Sequence, residues 1–161
     1  MVIFRPMKIL MVCLGNICRS PIAEGLMRAK FKKYELIAEV DSAGFEAFHN
    51  GDAPDLRAIR VMKQHGIDIS GQQARLFRKS DFDAYDRIYV MDNGNFNDVK
   101  AIPHHSSHMI KVDYILNSVN PGSNKPVPDP YLGGEEDFEI TYQLLDLATE
   151  QIAIELRQGG K

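Results

Sequence analysis

Cys13 and Arg19 are the residues whose types and spacing most plainly suggest chemistry, a thiol and a guanidinium six positions apart in Cys13-Leu14-Gly15-Asn16-Ile17-Cys18-Arg19-Ser20-Pro21. Five intervening residues can curl into a ring whose backbone N–H groups point inward. A helix starting at its far end adds a positive dipole, and Arg19 adds a planar fork of donors, so a phosphate-sized anion would be held from several sides. The same field favours a thiolate, the nucleophilic form of cysteine, aimed at a bound electrophile.

Such a loop needs a strand before it and a helix after it. Met7 to Cys13 is a short apolar run that stops at Gly15-Asn16, and Ser20-Pro21 opens a segment to Lys33 with apolar residues at helical spacing. Ile37 to Ser42 reads as a second strand. A loop punctuated by Gly and Pro (49–54) leads into a helix from Asp55 to His65 that Gly66 terminates. Arg87 to Met91 reads as a third strand, Phe96 to Ala101 as a helix and Met109 to Val112 as a further strand. After a loop from Asn120 to Pro130, Glu135 to Arg157 carries Phe138, Tyr142, Leu145 and Ala148 on one stripe and predicts a long amphipathic helix. Strands alternating with helices predict an open parallel sheet covered on both faces, with ligands beyond the carboxyl ends of the strands. The loops after Cys13, Ser42 and Met91 and the one near Asp129 are the places to search.

Composition narrows the classes. At 161 residues and 44% hydrophobic, the chain is long enough to bury one core, so a single domain over 1–161 is expected. A net charge of −3 gives no general attraction to nucleic acid or anionic membranes. Residues 1–33 nevertheless carry seven basic side chains against one acid, which suits an N-terminal anion site and equally suits a solvated basic face. No apolar run is long enough to span a membrane and no signal peptide is recognisable, so a cytoplasmic location is expected. Two cysteines are too few for a disulfide scaffold. His104 and His108 are four apart, but no carboxylate recurs at ligand spacing, so they read as an exposed polar loop and no metal is expected.

The segment from Val12 to Glu24 resembles the signature loop of the low-molecular-weight protein tyrosine phosphatases. Asp41-Ser42-Ala43-Gly44, Gly66 to Ser70, Ala74-Arg75, Asp81-Phe82, Tyr85-Asp86, Val90-Met91-Asp92 and Pro128-Asp129-Pro130-Tyr131 follow in that family's order. The resemblance implies an α/β fold of three layers, a four-stranded parallel sheet with helices on both faces and the phosphate-binding loop after the first strand. It also implies phosphotyrosine hydrolysis, on proteins or small aryl phosphates, without a cofactor and with inorganic phosphate as product, by a monomer or a weakly self-associating chain. Cys13 would attack phosphorus, Arg19 would clamp the phosphoryl oxygens, and Asp129 would serve as general acid and then general base. Leu14, Gly15, Asn16, Ile17 and Cys18 would form the substrate loop. Ser20 would hydrogen-bond Cys13, and Asn16 and Ser42 would pin the loop from within. Phe48, His49, Tyr131 and Leu132 would wall the cleft, with core packing as the rival account of Phe48 and Leu132.

Some assignments stay open on sequence. Asp92 either anchors Arg19 or caps the next helix, and Asp129 could be a plain turn residue. Cys18 is a loop residue or a partner for reversible disulfide formation with Cys13. Gln72 stands where many family members have histidine, and its amide is expected to donate the same bond to Asn16. Protein-arginine phosphatases of this fold typically carry threonine where Ile17 stands, so Ile17 favours the aryl ester. Arsenate reduction would need further cysteines toward the C-terminus, and a non-catalytic anion-binding module would need no reactive thiol.

Overall fold

The computed structural model describes residues 5–159. Residues 1–4 and 160–161, which the single-domain expectation also covers, lie outside the described residues. Four strands, β1 (Met7–Val12), β2 (Ala38–Ala43), β3 (Arg87–Val90) and β4 (Val112–Tyr114), form one sheet in the order β2-β1-β3-β4. Every pairing is parallel, with Val12 opposite Ala43 on one side and Val90 on the other. Strands covered on both faces are apolar where they are covered, and in β1 Ile9, Leu10, Met11 and Val12 are all fully buried.

Alternation along β1 divides the core into two layers. Ile9 and Met11 point to one face, where α1 (Arg19–Lys33), α2 (Leu56–Gln64) and α5 (Glu135–Gly159) supply Leu26, Met62, Leu145 and Ile152. Leu10 and Val12 point to the other, where α3 (Asp81–Ala84) and α4 (Asn93–Ala101) supply Phe82 and Val99. The three-layer α/β sandwich with a loop after the first strand is therefore the fold that the chain adopts.

Two elements differ from expectation. The strand expected over Met109–Val112 begins only at Val112, because Ser106–Lys111 winds into a 3-10 turn. His105 and His108 cap one another's backbone there, and Lys111 Nζ donates to the carbonyls of Phe82 and Tyr85, fixing the turn against α3. The short helix α3 was not foreseen. The expected histidine loop is more engaged than a solvated one: His104 and His108 lie against Phe82, and His108 pairs with Asp83.

Candidate active site

The loop from Cys13 to Cys18 sits at the carboxyl end of β1, one of the two inner strands, and α1 begins at its far side. Helix α1 has neither a capping side chain nor an acidic residue in its first turn. Its first N–H groups are thus left for an anion, and Pro21 removes one donor where none is needed. The backbone N–H of Ser20 points at Cys13 Sγ from 3.5 Å.

A directional hydrogen-bond network fixes the loop. Asn16 is the one loop residue with positive φ, 55°, a conformation that asparagine tolerates better than most side chains. Its amide donates to Ser20 Oγ at 2.8 Å and Ser42 Oγ at 2.9 Å, while its Oδ1 accepts from the backbone N–H of Arg75 at 3.0 Å. Because Ser20 Oγ is an acceptor for Asn16, its own proton is left for Cys13 Sγ, 3.0 Å away. Ser42 likewise passes its proton on to Glu24 Oε1 at 2.6 Å. Burial pushes the Glu24 carboxyl up, and the bonds from Ser42 and Arg28 only partly oppose this. Gly44 makes room for the strained residue: a Cβ there would lie 2.8 Å from Leu14 O and 2.9 Å from both the nitrogen and the Cβ of Asn16.

Arg19 is buried, with its Nη1 donating to Asp92 Oδ2 at 2.7 Å and to Val127 O at 2.8 Å. Burial works against its charge, yet Cys13, Asp92 and Asp129 outweigh it and hold the guanidinium above its ordinary range. Asp92 is both things that its position allowed, since Oδ2 takes Arg19 while Oδ1 caps α4 by accepting from Asn95 N at 2.8 Å. Asp129 stands partly exposed with Oδ2 3.6 Å from Arg19 Nη2 and with Oδ1 accepting from the N–H of Tyr131.

One cavity is lined by Cys13, Leu14, Gly15, Ile17, Cys18, Arg19, Phe48, His49, Asp129 and Tyr131, bringing the candidate nucleophile, guanidinium and carboxylate together. Asn16, Ser20 and Ser42 lie behind this surface, buried. Phe48 is 74% exposed and tilted against His49, so it belongs to the rim and not to the core. Two expectations fail. Leu132 is 96% exposed and does not line the cavity, because the tight turn Pro130–Gly133 carries its side chain outward. Gln72 does not reach Asn16: its Nε2 donates to the Pro21 carbonyl at 3.1 Å, and its Oε1 is buried without a partner. Both Asn16 amide protons are acceptor-bound and its oxygen accepts from the Arg75 backbone, so the loop asparagine is satisfied without the glutamine.

Cys18, the N-cap residue of α1, is a buried free thiol, as is Cys13. Burial pushes the Cys18 pKa up, with Asp55, Cys13 and Asp129 adding to the shift.

Two residues went unnoticed in the sequence. Glu46 lines the cavity. Arg57 binds the loops to one another: it pairs with Asp55, whose N–H donates to Ile17 O, and it donates to the carbonyls of Tyr131 and Gly133 at 2.9 Å. A run of Asp55-Leu56-Arg57 at a helix start carries no signal of that reach.

The sequence profile described as low molecular weight phosphotyrosine protein phosphatase matches residues 8–161. The chain belongs to that family. It is 39% identical to the low molecular weight phosphotyrosine protein phosphatase of Schizosaccharomyces pombe over 145 residues, 88% of this chain and 92% of the relative. It is 40% identical to that of Homo sapiens over 138 residues, 84% and 86% of the two chains. The crystal structure of a protein tyrosine phosphatase from Entamoeba histolytica, with Hepes in the active site, superposes with a TM-score of 0.87 at 35% identity, covering 96% of this chain and 99% of the other. Among the described residues of this phosphatase, no helix is long and apolar enough to cross a membrane.

Proposed function

We propose that this phosphatase hydrolyses phosphotyrosine, in proteins or in small aryl phosphates, through a cysteinyl-phosphate. The observation that carries the reading is the convergence of Cys13, Arg19 and Asp129 on one cavity, with the Ser20 hydroxyl 3.0 Å from the sulfur. Cys13 Sγ attacks phosphorus as the bond to the phenolic oxygen breaks, and Asp129 gives its proton to the departing phenolate. Asp129, now a carboxylate, takes a proton from water as that water attacks the cysteinyl-phosphate, releasing inorganic phosphate and the thiolate. Ser20 stabilises the sulfur as it leaves. The transferred group spreads charge over its equatorial oxygens, where the loop N–H groups and Arg19 are placed to meet it.

The side walls suit an aromatic ester. Ile17 offers aliphatic contact and no hydroxyl, and Phe48, His49 and Tyr131 flank the opening. Both thiols must stay reduced for this chemistry, which fits a cytoplasmic location.

The test is turnover, in chelator, of phosphotyrosine, phosphoserine and phosphoarginine peptides by the wild type, Cys13→Ser and Asp129→Asn. Phosphotyrosine should be preferred, Cys13→Ser should be inactive, and Asp129→Asn should lose about 10²–10⁴ in turnover while still binding phosphate. A preference for phosphoarginine would overturn the aryl-ester assignment, and unchanged turnover in Asp129→Asn would remove that residue from its role.

A further inference from the structure

Glu46 is out of place in a cavity built for an anion. It lines the same opening as Cys13, Arg19 and Asp129. Its carboxylate packs beside the phosphate loop, with Oε1 3.6 Å, an ordinary van der Waals distance, from the position of a Cβ on Gly15. Yet among the described residues it has no ion pair and no side-chain hydrogen bond.

Nearby cations are already engaged. Arg19 faces Asp92, Asp129 and the Val127 carbonyl. The Arg57 fork is taken up by Asp55 and the carbonyls of Tyr131 and Gly133. His49, the other basic group in the lining, directs Nδ1 to Asp52 at 3.1 Å. A phosphoryl dianion entering this cavity therefore meets an uncompensated negative charge in the wall. Such a charge opposes binding unless the incoming molecule carries a positive group of its own.

We propose that Glu46 is a specificity residue that selects phosphotyrosine peptides bearing a lysine or arginine next to the phosphotyrosine and rejects those with acidic neighbours. The inference rests on the phosphotyrosine reading above. The cation on the peptide pairs with Glu46 while the phosphate settles on the loop, so discrimination comes both from attraction of the basic neighbour and from repulsion of the acidic one.

The experiment compares two phosphotyrosine peptides that differ only in lysine or glutamate beside the phosphotyrosine, with phenyl phosphate as a third substrate. Wild type, Glu46→Gln and Glu46→Lys are measured at low and raised salt. The wild type should favour the lysine peptide in kcat/KM by about threefold to tenfold, the scale of partly exposed charge pairs counted as attraction plus repulsion. Raised salt should shrink that ratio. Glu46→Gln should bring it close to one, and Glu46→Lys should invert it. Equal ratios in wild type and both variants, with all three enzymes active on phenyl phosphate, would overturn the role of Glu46 and leave the phosphatase reading intact. No turnover of any aryl phosphate by wild type would sink both readings.

Discussion

Asp92 meets Arg19 through one carboxylate oxygen only, at 2.7 Å, and commits the other to the first turn of α4. The guanidinium is thereby braced against a helix. Asparagine at 92 can keep the cap but turns a donor toward Arg19, whereas alanine removes both contacts. Asp92→Asn should lower kcat/KM for an aryl phosphate by about a hundredfold through misplacement of the guanidinium. Asp92→Ala should match that loss and unfold about 1 kcal/mol more easily than Asp92→Asn, the difference being the cap. Urea unfolding of the two variants reads that difference directly.

Gly44 shapes the loop from the neighbouring strand. A methyl group would press on Leu14 O and Asn16 at distances that cannot be tolerated without a backbone shift. Gly44→Ala should lose most of its turnover and about 1–3 kcal/mol of stability. A variant with wild-type kcat and stability would show that the loop is softer than its hydrogen bonds suggest.

Glu24 gives the stability a pH dependence. Its folded-state pKa lies above the ordinary 4.5, chiefly through burial. The folded state therefore favours the protonated carboxyl, and this contribution is complete below 4.5 and lost as the pH rises through the raised value. Glu24→Gln keeps an acceptor for Ser42 and cannot titrate. Its melting temperature relative to the wild type should climb between pH 4 and pH 8; a constant difference across that range would mean that Glu24 titrates alike in the folded and unfolded chain.

Cys18 should be inert while the protein is folded. It is buried, and its pKa is pushed up, so little thiolate is available to an alkylating agent. In Cys13→Ser, iodoacetamide at pH 8 should leave Cys18 unmodified in mass spectra until urea is added. Rapid labelling of the native variant would reveal that the loop opens.

The legible parts of this chain were those where one local cause decides the outcome. β1 is apolar at every inner position because helices cover both its faces, and Cys13 through Pro21 carries its turn, thiol, cation and helix start in nine consecutive residues. Asp92 was left between two roles, and it performs both, which no pattern confined to one element could reveal. Gln72 and Glu46 depended on contacts between distant segments, and Leu132 on the exact geometry of its own turn. The donor bond expected from Gln72 to Asn16 is made by the backbone N–H of Arg75, and a tight turn directs Leu132 away from the cleft. The strand shifted from Met109 to Val112 lost its start to mutual capping by two histidines.

Arg19 and the carbonyl that holds it, Val127, are 108 residues apart, and the partner sulfur stands near the amino end. On the ribosome the thiol and guanidinium thus emerge long before Asp92 and Val127, which hold Arg19, and Asp129, which lines the cavity. A nascent or truncated chain ending before Val127 would lack both the Val127 brace on Arg19 and the Asp129 carboxylate beside it. The surroundings of Arg19 are consequently complete only once synthesis has passed Asp129.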